Sequence, residues 1–396
     1  MASDGRQAAF PSEFTHRPDI GPAFLLAWRN LAFDRSRFAI TMVGIVFAVV
    51  LTAVQIGLFF GFTATTTAVI EHTRADLWVV VHGLRNFEIA MPQLERHRNI
   101  VMEVPGIARA EALLVFFSAW QKPQGGDESV LIVGFDPNSG MAGPWNLVEG
   151  DPADLRQPDT VVVDDLNKAK LGISGIGDRV EINGHRARVV GFTHGIRSFT
   201  TSPYVFATYR NAIEYGYLRD NQAQYVIAKL APGADPAAVK QALHRRLPSV
   251  DLMTREEFAD LTETYWMFTT GAGTAILVAA ALGLVVGMVI VAQVLYATTV
   301  DHLAEFGTLR AMGAPQGFIL RVILWQATIA AVLGHGIGIV IAMAIAHGSQ
   351  YGTALIIIPA GLAVGLFAVT FLMCASASLV SIRKAMTIDP AMVFQR

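Results

Sequence analysis

Four long apolar runs punctuate the chain, at residues 38–62, 271–297, 318–346 and 354–382. Each is long enough to cross a hydrocarbon core of about 30 Å as a helix, which takes roughly 20 residues. No Asp, Glu or Lys falls within them, and Arg321 sits near an end, where its side chain can snorkel. Between the second and third runs the pattern changes. From Thr298 to Gln316 the apolar Val300, Leu303, Phe306, Leu309 and Met312 recur every three or four residues, with Asp301, His302, Glu305 and Arg310 between them. That spacing predicts an amphipathic helix, stopped by Gly313 and Pro315. Ahead of the first run, Phe24, Trp28 and Leu31 share one helical stripe with Leu25 beside it, and Arg29, Arg35 and Arg37 supply a basic side. This predicts an interfacial helix within residues 1–37, with Trp28 at headgroup depth; a plain juxtamembrane linker is the alternative. Residues 1–20, polar and carrying Pro11 and Pro18, read as a tail and not as a signal peptide.

Residues 63–270 have the mixed pattern of a water-exposed α+β domain. Leu77–Val81, Ala112–Trp120, Ser129–Phe135, Thr160–Val163 and Asp178–Phe192 read as strands, with turns at Gly125-Gly126 and Asn183-Gly184. Pro92–Val104 reads as a helix. Gln224–Leu230, Pro236–Leu247 and Val250–Met253 then form a β-α-β pattern before Arg255–Trp266 returns the chain to the membrane.

Composition agrees with the pattern. Charged residues are 16% of the chain, against about a quarter in soluble domains, and the mean hydropathy is +0.44. The net charge of -2 gives no reason to propose nucleic acid as a partner, and the lone Cys374 rules out an intrachain disulfide. Basic residues set the orientation. Arg29, Arg35 and Arg37 precede the first span, Arg310 lies in the 298–317 loop and Arg321 just after it, and Arg383, Lys384 and Arg396 follow the fourth span. The turn Gly348–Gly352 has no charge, so both termini and the 298–317 loop are expected in the cytoplasm and the 63–270 domain outside.

Catalytic patterns are missing from the sequence. It contains no G-x-x-x-x-G-K-[ST], no H-E-x-x-H, no G-x-S-x-G and no cysteine pair. Gly172–Gly177 reads as a turn, and the adjacent acids Glu256-Glu257 and Asp164-Asp165 as solvated side chains. No acid lies at mid-bilayer, which argues against ion-driven transport, because carriers that use a proton or ion retain such a group despite its insertion cost. The polar exceptions within the spans are Gln55, Gln293, Gln326 and His335. They are expected to hydrogen-bond between helices that Gly334, Gly336 and Gly338 let approach closely, the alternative being a wet or substrate-contacting face.

Glu305-Phe-Gly-Thr-Leu-Arg-Ala-Met-Gly-Ala314 resembles the E-[IF]-G-x-L-R-A-x-G-A signature of the ABC transporter permeases related to MacB, FtsX and the lipoprotein-releasing LolC and LolE. Ser381–Ala391 resembles the closing R-A-x-x-[IL]-[DN]-P-[AV] motif of that family. Val104–Ile107, Val161–Asp164, Gly177–Ile182 and Val189–Phe192 resemble its extracytoplasmic domain. Asp76–Val80, on a chain without its own ATPase, is most similar to the DevC branch. The resemblance implies an α-helical membrane protein with four transmembrane helices, plus a large extracytoplasmic α+β domain of the MacB-like periplasmic core type between spans 1 and 2. That domain is expected to have a porter-like part and a β-rich subdomain inserted at about 123–221. The remaining boundaries follow: a coupling helix at 298–317 and a cytoplasmic tail at 383–396.

The resemblance also implies the function. The chain is expected to be the permease subunit of an ATP-driven exporter, a non-catalytic homodimer in the bacterial inner membrane. Two copies of a separate ATPase would bring the ATP and Mg, and a membrane-fusion adaptor would receive the substrate. Force would enter at the coupling helix. Glu305 and Arg310 would make polar contacts with the ATPase, Phe306 and Leu309 would fill its groove, and Gly307, Gly313 and Ala314 would permit close approach and chain reversal. An FtsX-type signalling scaffold that regulates a cell-wall hydrolase is the alternative.

Overall fold

The computed structural model describes residues 20–386 except 34 and 217; the closing motif beyond Met386 lies outside the described residues. Helix α1 (Ile20–Phe33) precedes α2 (Arg35–His72), the first span. At 38 residues and about 1.5 Å per residue, α2 is far longer than the bilayer core. It therefore continues past the apolar run of 38–62. In this continuation threonine hydroxyls turn back onto their own helix: Thr65 donates to the Gly61 carbonyl at 2.9 Å and Thr66 to that of Phe62 at 2.8 Å. The polar groups are thereby satisfied locally.

The domain that follows is built on strands β1 (Leu77–Val81), β2 (Gln93–Leu94), β3 (Ile107–Gln121), β4 (Asp127–Phe135), β5 (Leu147–Gly150), β6 (Thr160–Asp164), β7 (Arg179–Ile182), β8 (His185–Thr193), β9 (Tyr204–Thr208), β10 (Gln222–Ala223), β11 (Tyr225–Leu230) and β12 (Val250–Thr254). Helices α3 (His97–Met102), α4 (Lys168–Leu171), α5 (Tyr209–Tyr215), α6 (Pro236–Arg246) and α7 (Arg255–Thr264) are set among them. After a π-helical turn, Tyr265–Thr269, come α8 (Ala272–Asp301), α9 (Leu303–Ala311), α10 (Gln316–Ser349) and α11 (Ala360–Met386). With α2, the helices α8, α10 and α11 are the four spans.

The main sheet has the order β12-β1-β11-β3-β4-β9-β6-β8-β5, with β7 on β3 and β8. Strand β3 belongs to two ladders. Ile107–Leu113 pairs with β11 and Leu114–Gln121 with β4. The near half of the domain (β12, β1, β11 and the start of β3) buries Leu77, Val79, Val226 and Ala228 beneath α3 and α6. The far half buries Trp120, Ile132, Val163, Val189 and Phe192. The change of partner falls at Leu113/Leu114. The run of residues 112–117 is apolar throughout and passes across it, so the sequence carries no mark there. The β7–β8 turn needs positive φ at both central positions, met by Asn183 (φ 50°) and Gly184 (φ 82°). The expected helix over Pro92–Val104 is shorter: β2 takes Gln93–Leu94, leaving α3 only His97–Met102.

The described residues form two compact units, one of Leu51–Leu282 with Val340–Leu362 and one of the remainder. In the second of these, α2, α8, α10 and α11 share a core of Ile45, Val49, Val291, Leu295, Ala327, Ala331, Met373 and Cys374. Close approach depends on missing side chains. A Cβ on Gly338 would lie 2.8 Å from Val49, and those of Gly334 and Gly44 would collide with Ile45 and Ile290. Gly336, expected to share this role, faces open space instead. In the first unit, the run expected to begin the fourth span at 354 is not helical until Ala360. Pro359 disfavours helix at Ile358, and the β-branched Ile356-Ile357-Ile358 stays extended. The Ile357 N–H donates to the Gly57 carbonyl of α2 at 2.9 Å, which satisfies extended backbone at an apolar level.

Candidate functional site

The amphipathic segment lies between α8 and α10. The hydroxyls of Thr298 and Thr299 close the last turn of α8 on the carbonyls of Val294 (3.0 Å) and Leu295 (2.8 Å). Asp301 forms an ion pair with Arg37. At His302 the helix breaks for one residue; its Nδ1 meets Glu305 Oε2 at 3.0 Å. Helix α9 then ends in a Schellman closure, with Gly313 at φ 94° and the Ala314 N–H donating to the Leu309 carbonyl at 3.0 Å. Only glycine takes that φ without strain, so Gly313 fixes where α9 stops and the chain turns into α10.

Phe306, expected to enter a partner's groove, is instead 1% exposed in the chain's own core. It packs in a cluster with Ala23, Ala27 and Leu31 of α1 and Ile319, Val322 and Ile323 of α10; half-buried Leu309 packs on the same cluster. Gly307 is also buried. The outward face carries Ala304, Glu305, Thr308 and, at 72% exposure, Met312. The side chain of Arg310 lies outside the described residues. Met312 leaves the buried stripe because α9 ends at Ala311, just before it.

Helix α1 divides its predicted stripe. Leu31 turns inward with Ala23 and Ala27, while Phe24 and Trp28 are exposed, as are Leu25 and Arg29. Phe24 meets the Trp325 ring edge-on at 5.3 Å. The four-residue spacing of the small Ala23 and Ala27 was the signal for the packed face.

The intramembrane polar residues do not form one site. Gln293 is exposed and Gln55 half-buried. Gln326 and His335 are buried, yet Gln326 Nε2 and His335 Nδ1 have no hydrogen-bond partner among the described residues. His335 packs edge-on against Phe367 at 5.3 Å. The expected interhelical hydrogen bonds at these two atoms are therefore not formed. Among the described residues no cluster of His, Cys, Asp and Glu could hold a metal ion.

Nothing in the sequence pattern pointed to Glu88. It is 2% exposed beneath the sheet, and burial pushes its carboxyl up to about 7. The Trp266 indole N–H, from the π-helical turn, donates to Oε2 at 2.9 Å, while Oε1 has no partner.

Residues 38–246 match the family model described as the MacB-like periplasmic core domain, and residues 263–390 match that of the FtsX-like permease C-terminal region. The second match contains the whole of α9. Two uncharacterised ABC transporter permeases of Mycobacterium tuberculosis are similar along their lengths. One is 25% identical over 373 residues and the other 24% over 376, each alignment covering 93% of this chain and 98% of the relative. Among solved structures, the periplasmic region of MacB from Actinobacillus actinomycetemcomitans aligns at 14% identity with a TM-score of 0.36. That alignment covers 47% of this chain and 92% of the other, a likeness too slight to argue from.

Proposed function

Because the chain belongs to the MacB/FtsX family of ABC transporter permeases, we propose that it is the transmembrane subunit of an ATP-driven exporter whose force arrives at α9. One observation carries this reading. Helix α9 is backed by Phe306 against α1 and α10 while Glu305, Thr308 and Met312 stay outward. A load on that outward face would move three helices together, because the side chain joining them is fully buried.

The chain has no nucleotide-binding loop, so ATP and Mg belong to two copies of a separate ATPase chain. The chain would lie in a bacterial inner membrane, and the basic residues around α9 and the termini support placing these in the cytoplasm. Helix α8 leaves Leu282, Val285 and Val289 uncovered, a face open to lipid and to the second copy of a homodimer. The domain between the first two spans would hand substrate to a membrane-fusion adaptor outside. The absence of acids from the apolar runs favours motion transmitted through helices over an ion-coupled channel.

The test is Glu305→Arg combined with Met312→Asp, expressed in membranes with the candidate ATPase. Both positions are exposed, so the protein should accumulate normally while co-purification of the ATPase falls by about tenfold or more. Undiminished co-purification and transport would refute α9 as the seat.

A further inference from the structure

The loop joining β8 to β9, residues 194–203, is held at its root and at its tip by contacts unconnected with α9. Its root is fixed by Asp164, a buried carboxylate at the end of β6. Asp164 Oδ2 accepts from the Ile196 N–H at 2.6 Å and from the Thr193 hydroxyl at 2.9 Å. Lys170 Nζ donates to the Thr201 carbonyl at 2.6 Å, and the hydroxyls of Ser198 and Thr200 pair at 2.7 Å. Thr201 itself has φ 63°. A β-branched residue holds that conformation only where its surroundings impose it, so the loop is a stiff arm.

Two side chains of different chemistry form the tip. Arg197 donates from Nε to the Gly352 carbonyl at 3.0 Å and from Nη2 to the Gln350 carbonyl. Both carbonyls belong to the turn just beyond Ser349, the end of α10, whose own last carbonyls are closed by the Gln350, Tyr351 and Gly352 N–H groups and the Ser349 hydroxyl. A permanently charged, forked guanidinium can hold both turn carbonyls at once. Beside it, Phe199 lies between Phe62 of α2, 5.0 Å away, and Trp266, 4.3 Å away. From the other side the segment after this turn is pressed on α2, where a Cβ on Gly57 would come within 2.7 Å of Ile356.

We infer that the 194–203 arm is a mechanical tie, with Arg197 as the positioning residue that clasps the turn after the third span and makes the far half of the outer domain follow that span's end. The tie stands on geometry; that it carries ATP-driven motion rests on the exporter reading.

Ser198 and Gly352 line one crevice of about 100 Å3 with Arg197. The experiment therefore pairs Ser198→Cys with Gly352→Cys in the full chain in membranes, with Cys374→Ala removing the native thiol. Mild oxidation is expected to crosslink the pair rapidly. Arg197→Ala should slow crosslinking by about tenfold, and Arg197→Lys, which keeps the charge but loses the fork, by less. Equal rates in all three overturn the tie. In the complex with its ATPase, the crosslinked protein should keep ATP hydrolysis within about twofold, because tied parts move together. Arrest of hydrolysis on oxidation would mean that arm and turn separate in each cycle, and would also overturn the tie. Failure of any ATPase to co-purify counts against the exporter reading alone, since the crosslinking rates judge the tie without it.

Discussion

Glu88 sits where a carboxylate is costly. Desolvation is the largest effect on it, and the single Trp266 N–H only partly offsets that. The titratable groups facing it are Tyr204 and Tyr225, both pushed well upward by burial, with Glu88 adding to each shift, and no cation is among them. The sign of the pH effect follows from the raised value. Between the ordinary 4.5 and about 7 the folded protein keeps a proton that the unfolded chain has released. Stability is therefore greatest below that window, falls as pH rises through it, and levels off above it. Glu88→Gln keeps an acceptor for Trp266 and removes the charge. It should stabilise the full chain by up to about 3 kcal/mol near pH 8 and by little near pH 4.5. Thermal unfolding in detergent at the two pH values reads this directly, and an equal gap at both would show that water reaches Glu88. Neither this residue nor Arg197 was legible beforehand. Their partners lie 178, 153 and 155 positions away, and no local spacing encodes such a meeting.

At the scale of elements, periodicity shows which face is apolar but not what covers it. The stripe through Phe306 was visible in the sequence, and its cover was expected from another protein. Instead α1 and α10 supply it, because the small Ala23 and Ala27 let α1 lie close. Helix ends were less legible than helix interiors. The extended Ala354–Ile358 has the hydropathy of a span, and only Pro359 hints that the helix begins afterwards. The two kinds of residue on α9 can be separated by experiment. Phe306→Ala leaves a cavity in the α1–α9–α10 cluster and should cost about 3–5 kcal/mol, seen as a lower unfolding temperature and lower membrane abundance. Met312→Ala, at an exposed position, should change stability by less than about 0.5 kcal/mol while weakening ATPase co-purification. If Phe306→Ala were as stable as the unaltered chain, α9 would not be propped from within.

For the molecule as a whole, four spans and one large α+β domain between the first two were legible, because continuous apolar runs and period-two strands are strong signals. The switch of β3 between two ladders was not, since the continuous apolar run of residues 112–117 spans it without a break. Orientation depends on a different quantity, the placement of charge. Arg29, Arg35, Arg37 and Arg321 cluster around one set of span ends, while Gly348–Gly352 at the opposite set has none. Each basic residue near a span end resists translocation, so their combined bias fixes which side stays inside. Two exposed positions report the outcome, Met312 beside α9 and Asp127 at the start of β4. In a Cys374→Ala background, Asp127→Cys should react with a membrane-impermeant maleimide in intact cells, and Met312→Cys only after permeabilisation. Labelling of Met312→Cys in intact cells would put α9 beyond the reach of any cytoplasmic ATPase. The proposed seat for force and the proposed direction of transmission would then fail together, although the fold itself would stand.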